Sequence, residues 1–142
     1  MIWGSLIILS LIHLYLCDFT LVGMIKFKDG DLPERVPDNS WLTVKVEDTS
    51  IMDVASVSLG STTVPVQNYT KSNDGIKFRV ENIKYAKVPE ISVSAVLNMG
   101  WKPNGDKWLQ KGDYLSDITH RLDDIEDKST VTKDVEVRKY GD

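Results

Sequence analysis

The sequence WLTVKVEDTS, residues 41–50, carries the clearest structural signal in the chain. Leu42, Val44 and Val46 alternate with polar residues, which is typical of a β-strand with one buried and one solvated face. The alternation stops at an acidic pair that ends in Asp48, where a carboxylate can accept hydrogen bonds from nearby backbone N–H groups. We therefore predict a central strand with a side-chain hydrogen bond at its exit.

Several other stretches repeat this alternation. The predicted strands cover residues 19–27, 57–66 as short edge segments split by Gly60, 76–80, 91–97 and a final stretch around 131–137. Gly23 shares a face with Phe19, Leu21, Ile25 and Phe27, which indicates a bulge or a close backbone approach. Because the strands are short, turn signals are frequent and no apolar stripe has a helical period, we expect an all-β fold, a single antiparallel β-sandwich.

The N-terminal part of the chain differs in composition from the rest. Residues 1–16 contain no charged side chain, and the apolar run over residues 6–16 has the length of a signal-peptide core. The composition changes at Asp18, so we predict a signal peptide over residues 1–17 and one secreted domain, without a stable membrane span, over residues 18–142. An uncleaved membrane anchor and a buried N-terminal element are the alternatives, although the run is short for a bilayer core.

Two positions are candidates for covalent modification. Cys17 is the only cysteine, and Leu14 precedes it by three residues as in a bacterial lipobox. Leu16, however, occupies the place of the small residue that a lipobox prefers, so acylation at Cys17 is an alternative. Asn68 begins an N-glycosylation sequon in a polar stretch that resembles an exposed loop, and in a eukaryotic secreted protein it would carry a glycan.

Charge and histidine content exclude several kinds of site. The formal charge of -4 comes from interspersed charges without a basic stripe, which argues against a nucleic-acid partner. His120 is the one histidine of the predicted mature chain, so a zinc site built on His and Cys lacks ligands. Ser116 and Asp117 lie near it, but no nucleophile-elbow motif frames the serine. We expect a surface histidine beside Arg121.

Acidic residues form two groups with little catalytic potential. Neighbours on a strand point to opposite faces, so Glu47 and Asp48 do not flank one bond as a catalytic pair. A second group offers carboxylates for calcium, but its spacing matches no EF-hand loop and we expect a solvated loop. This group comprises Asp123, Asp124, Glu126 and Asp127. We predict a non-enzymatic protein without metal or cofactor.

Tryptophans mark the strongest binding candidate. Trp101 and Trp108 flank an Asn-Gly turn, and Tyr114 follows, which predicts a hairpin tip. Exposed aromatic rings can stack on sugars or anchor a protein partner. The alternative is that both tryptophans fold over an open end of the sandwich and cap its core. The main prediction is a module that binds a protein or a glycan through Trp101, Trp108 and Tyr114.

The segment VKVEDTSIMDVA, residues 44–55, resembles the signature of the YbaY and YscW-like family of bacterial envelope lipoproteins, which includes type III secretion pilotins. That family has a glycine in its first strand, then Leu-Pro, then a strand ending in V-x-L-x-D-x-S-x-x-D-A. This chain has Gly23, Leu32-Pro33 and the segment above with Val46 in place of the Leu, and a later alternating strand passes through Ala95.

The resemblance covers roughly residues 21–97 and implies a small exported β-sandwich without catalytic residues. For a pilotin it also implies a secretin as partner. The sequon and the divergent C-terminal part fit a eukaryotic secreted relative. The alternative function is an envelope lipoprotein or secretion chaperone acylated at Cys17.

Overall fold

The computed structural model describes residues 18–30, 32–50, 56–84, 90–123, 125 and 129–141. Within these ranges there is no α-helix, and short 3-10 turns occupy Lys28–Gly30 and Lys71–Asn73. The strands are β1 (Asp18–Phe27), β2 (Trp41–Asp48), β3 (Val57–Pro65), β4 (Ile76–Lys84), β5 (Ile91–Asn98), β6 (Tyr114–Leu115), β7 (His120–Arg121), β8 (Thr130–Thr132) and β9 (Val135–Lys139). The predicted all-β class is confirmed.

The strands form one continuous, curled, mixed sheet. Its order is β3-β2-β5-β6-β9-β1-β4, with β7 also pairing with β5 and β8 with β1. β1 is antiparallel to β4 but parallel to β8 and β9. The predicted antiparallel sandwich is therefore not confirmed, because hydrogen bonding runs without a break from β3 to β4 and part of it is parallel. The architecture is a half-barrel.

The two end strands approach each other at Gly60 of β3. A Cβ atom on Gly60 would lie 3.0 Å from Cγ1 of Ile83 in β4, so any larger residue would require Ile83 to shift by a few tenths of an ångström. β3 and β4 nevertheless share no hydrogen-bonded register in the part of the chain that is described. The curled sheet thus nearly closes at one point and stays open elsewhere.

Alternation along the strands places the core inside the curl. Leu42, Val44 and Val46 of β2 are fully buried, and most apolar positions of β1 and β5 are buried as well. Each such side chain contributes roughly 1.5–3 kcal/mol to folding relative to an exposed position. The inward faces that the sequence predicted for residues 19–27, 41–48 and 91–97 are confirmed.

Gly23 marks a close backbone approach, as predicted. A Cβ atom there would lie 1.9 Å from the carbonyl oxygen of Lys133, in the link between β8 and β9. The Lys133 N–H donates to the carbonyl of Val22 at 3.0 Å, which holds this link against β1. The register shift of β1 lies elsewhere, between Phe19 and Leu21.

The exit of β2 has the predicted side-chain hydrogen bond. Asp48 accepts from the backbone N–H of Ser50 at 2.9 Å and from its hydroxyl. The side-chain hydrogen bond and then the backbone one lower the pKa of Asp48 below its ordinary value of 3.8. Glu47 accepts instead from the Ser56 hydroxyl, so the two carboxylates serve separate contacts.

Several predictions fall on parts of the chain outside the described ranges. They concern the signal peptide with Cys17, part of the family-like segment at residues 51–55, and most of the acidic run, including Asp124, Glu126 and Asp127. Among the residues that are described, no helix is long and apolar enough to cross a membrane. The same residues contain no group of three or more His, Cys, Asp or Glu arranged to hold a metal ion.

Candidate functional site

Residues 99–113 form the loop between β5 and β6 that contains both candidate tryptophans. The predicted turn is present at Asn104, whose side-chain oxygen accepts from the N–H groups of Asp106 and Lys107, both at 2.9 Å. The turn is not flanked by strands, because β5 and β6 pair only at Val96–Leu115 and Leu97–Tyr114. The predicted hairpin tip is therefore a long loop with a tight turn inside it.

The buried carboxylate of Asp113 organises this loop. Asp113 is 1% exposed and accepts from the side-chain amide of Asn98 at 3.0 Å. It also accepts from the backbone N–H groups of Met99 and Gln110, each at 2.9 Å, and from the indole of Trp101 at 3.1 Å. One side chain thus fastens both ends of the loop, which makes the loop a preformed surface.

The three aromatic residues that the sequence grouped together occupy three different environments. Trp101 is half-buried and held by Asp113, whereas Trp108 is 57% exposed. Tyr114 is buried, with its ring edge-on to Phe27 at a centroid distance of 5.0 Å. Tyr114 is therefore a core residue rather than part of an exposed cluster, and Trp108 is the tryptophan that remains accessible to a ligand.

A shallow groove of about 250 Å³ lies beside Trp108 on the outer face of β3, β2 and β5. Its floor includes Thr43 and Thr63, whose hydroxyls lie 3.2 Å apart, and the buried Asn98. Asn98 Oδ1 has no hydrogen-bond partner in the described part of the molecule. With Lys45 also in the lining, the groove offers an aromatic face and several polar groups.

A larger cavity of about 620 Å³ opens between β3 and β4, and we call it the edge cleft. Its position follows from the way the sheet curls, since β3 and β4 meet at Gly60 and then leave a gap toward the loop that joins them. Its lining includes Leu42, Val64, Val66, Tyr69, Ile76 and Lys77. The Tyr69 hydroxyl donates to the carbonyl of Pro33 at 2.7 Å and so holds one wall in place.

Val64 leaves apolar surface exposed inside the edge cleft. Val64 stands opposite Leu42 in the β2–β3 register, so both side chains face the interior of the curl. Leu42 is fully buried, but Val64 is 38% exposed because no strand covers the inner face at this point. An interior-facing apolar side chain is thus left exposed to solvent.

Asn68 also lines the edge cleft, in the loop that follows β3. The residue is exposed and has a left-handed backbone with φ of 56°. Asn68 lies in an exposed loop, as predicted from the sequence. The cleft could not be predicted in the same way, because it depends on β3 and β4 being the two ends of the sheet.

His120 is buried rather than exposed, which corrects the expectation of a surface histidine. Its side chain is 7% exposed, and Nε2 accepts from the backbone N–H of Glu136 at 2.9 Å. Burial, and then the positive charge of Lys133, lower its pKa below the ordinary value of 6.5. Ser116 hydrogen-bonds Ala95 and Asp117 pairs with Arg138, so the three triad candidates have separate partners.

Comparisons with known proteins show a similarity of fold only. No protein-family model matches the chain, and no curated protein matches it. The structure is similar to that of an alternative pilotin from the type II secretion system of Vibrio cholerae, with a TM-score of 0.59 and 16% sequence identity. The similarity covers 87% of this chain and 97% of that chain. Membership of the YbaY and YscW-like family is not confirmed, but the chain has a pilotin-like fold.

Proposed function

We propose that this chain is a non-enzymatic, pilotin-like protein of a bacterial envelope, which binds and escorts a protein subunit of a secretion system such as a secretin. The observation that carries the proposal is the similarity to a pilotin over 97% of the pilotin's length. A likeness of this extent involves the whole curled sheet and not one shared hairpin. The resemblance of residues 44–55 to envelope lipoproteins, including other pilotins, supports the same class.

In this proposal the N-terminal segment exports the protein and Cys17 carries a lipid. Asp18 is the first residue of β1, so a lipid on Cys17 would attach to the sheet without an intervening linker. Such an arrangement would keep the binding surfaces close to the membrane, which suits a protein that delivers a partner there. Two acyl chains on one residue would give stable anchoring, whereas one chain would bind only reversibly.

The proposal is tested on protein recovered from its native source with a C-terminal affinity tag. We expect fractionation with the envelope, a diacylglyceryl mass on Cys17 and co-purification of a secretion-system subunit. We also expect less of that subunit in the membrane when this protein is depleted. Recovery from the medium as an unmodified chain beginning near Asp18, with the subunit unaffected by depletion, would overturn the proposal.

A second function is favoured by one specific observation, the exposure of Trp108 beside the groove that contains Thr43 and Thr63. In this alternative the chain is a secreted, extracellular module that binds a glycan or a protein at Trp108. Binding that disappears in Trp108→Ala without a change in thermal stability would support it. A glycan on Asn68 of the native protein would support the eukaryotic setting that this alternative requires.

A further inference from the structure

We propose that the edge cleft holds the partner, and that its occupant is a segment of a partner protein that presents a bulky apolar side chain next to acidic residues. The inference rests on the proposed function in one respect, namely that the partner is a protein. The apolar interior of the cleft, the charge at its rim and the backbone edges on either side each contribute to this assignment.

The apolar part of the assignment comes from the interior of the cleft. Val64 of β3 and Ile76 of β4 contribute apolar surface, and Leu42 of β2 lies behind them. Leu42 is fully buried, whereas Val64 and Ile76 retain surface that is accessible to solvent. A cavity of about 620 Å³ is large enough for one or more bulky side chains. An apolar anchor from a partner would complete the interior of the curl at this point.

The acidic part of the assignment comes from the rim. No acidic residue lines the cleft among the residues that the structure describes, and Lys77 is its one charged lining residue. Two nearby lysines already have carboxylate partners, Lys26 with Asp74 and Lys71 with Glu34. Lys77 forms no ion pair with a described residue. A carboxylate on the occupant would therefore meet an uncompensated positive charge.

The backbone explains why the occupant is a polypeptide. β3 and β4 each have a hydrogen-bonded neighbour on one side only, so their other edges flank the cleft. Unpaired strand edges offer backbone N–H and C=O groups to an extended segment. β3 is also unusual for an end strand, because residues 56–70 contain no charged side chain that would repel an incoming strand. Side-chain amides of Gln67 and Asn73 add further hydrogen-bonding groups at the rim.

Two synthetic peptides serve as probes. One is a short acetylated peptide with Leu and Trp between two glutamates, and the other has both glutamates replaced by lysines. Each is titrated into 15N-labelled protein and followed by amide chemical shifts. We expect shifts at Val64, Val66 and Ile76, and binding about fivefold tighter for the acidic peptide, which is the scale of one exposed charge pair. Absence of shifts at these amides would overturn the assignment.

Two pairs of variants test whether peptide binding depends on the lining of the cleft. Val64→Thr should weaken both peptides about tenfold, because it places a hydroxyl on the apolar surface of the cleft. Val57→Thr is the matched control, on the same strand and 54% exposed but outside the lining. Lys77→Glu should reverse the preference between the peptides, whereas Lys84→Glu, on the same strand but away from the cleft, should leave it unchanged. Equal effects of the two glutamate variants would show that only net charge matters and would overturn the rim assignment.

The outcomes separate this inference from the proposed function. The peptide experiment needs no secretion system. If the peptides failed to bind but a secretion-system subunit still co-purified from the envelope, only the assignment of the edge cleft as the binding site would be overturned. If the peptides bound at the cleft but the native protein had no secretion-system partner, the binding site would be supported and the proposed function would be overturned. Shifts confined to Thr43, Val96 and Trp108 would move the binding surface to the groove.

Discussion

Trp101 and Asp113 are joined across the loop between β5 and β6, since the indole Nε1 donates to both carboxylate oxygens at 3.1 and 3.2 Å. The same carboxylate accepts from the side-chain amide of Asn98 and from the backbone of Met99 and Gln110. Hydrogen bonds to a carboxylate are stronger than those between neutral groups, and the side chain that accepts them is only 1% exposed. The shape of the loop therefore depends on one acidic side chain.

Replacing Asp113 should destabilise the protein strongly. Asp113→Ala leaves one buried and several part-buried donors without an acceptor, and we expect a loss of about 3 kcal/mol or more in the free energy of unfolding. Asp113→Asn keeps an oxygen and should lose less. Urea denaturation measures the difference. Asp117→Ala is the control, because its ion pair with Arg138 lies near the surface and should contribute less than about 1 kcal/mol. Similar losses in the Asp113 and Asp117 variants would contradict this role.

The two tryptophans of the loop should respond differently to truncation. Trp101→Ala removes a half-buried ring and its bond to Asp113, so the melting temperature should fall by several degrees. Trp108→Ala removes a ring that is 57% exposed, and the free energy of unfolding should stay within about 0.5 kcal/mol. Thermal unfolding by circular dichroism compares them. Equal destabilisation would mean that Trp108 contributes as much to stability as Trp101 does.

The sequence predicted the buried face of each main strand but not the order of the strands. A period-two pattern, as in Leu42, Val44 and Val46, specifies which side chains point inward and leaves open which strand lies alongside. The same pattern is compatible with a sandwich and with a half-barrel. The parallel pairing of β1 with β8 and β9 joins segments that are far apart in the sequence, and no local motif predicts it.

The exposure of individual side chains in loops and short strands was harder to predict from the sequence than the positions of the main strands. Tyr114 is covered by Phe27, which is distant in sequence, and His120 is buried at a short strand against Glu136. The edge cleft required the same kind of information, because Val64 and Ile76 belong to strands at opposite ends of the sheet order. The one local signal was the absence of charge over residues 56–70.

His120 should make stability depend on pH. Its folded pKa lies below the ordinary 6.5, first because burial disfavours the charged imidazole and then because of Lys133. The unfolded chain therefore binds the proton more readily. The stability is full above the unfolded pKa and declines as the pH falls below it, until both states are protonated. Urea midpoints measured between about pH 5 and pH 8 should show this decline.

His120→Gln is the matched variant for that measurement. Glutamine retains an acceptor for the Glu136 N–H but does not titrate, so the decline near neutral pH should disappear. His120 is the only histidine of residues 18–142, which leaves no other imidazole to produce the effect. Parallel pH profiles for the two proteins would show that another group is responsible.

Gly23 should not tolerate even a methyl group. An added Cβ would lie 1.9 Å from the Lys133 carbonyl oxygen, and this neighbour is backbone that cannot rotate away. We expect Gly23→Ala to cost several kcal/mol or to prevent folding, in line with overpacking against a fixed element. Gly105→Ala is the control, because nothing lies within 4 Å of the position its Cβ would take. Chemical denaturation of both variants checks the contrast, and similar stabilities would show that the link between β8 and β9 moves freely.

Glycosylation of Asn68 should interfere with binding at the edge cleft. Asn68 lines the edge cleft, and it is also the first residue of the N-glycosylation sequon. A glycan there would stand at the entrance to the cleft and exclude a partner segment. Protein from a eukaryotic secretory host that carries hexose on Asn68 should therefore bind the acidic peptide at least about tenfold more weakly than unglycosylated protein, a loss of roughly 1.4 kcal/mol or more.

Thr70→Val separates the glycan from the asparagine itself. The variant destroys the sequon but leaves Asn68 in place, so protein from the same host should regain peptide binding. Its hydroxyl contacts only the exposed Ser72 among the residues described, and the variant should fold normally. If glycosylated wild-type protein and Thr70→Val bound the peptide equally well, the glycan would lie clear of the cleft and the two functions would be compatible. Weak binding by both would instead show that the glycan does not cause the loss.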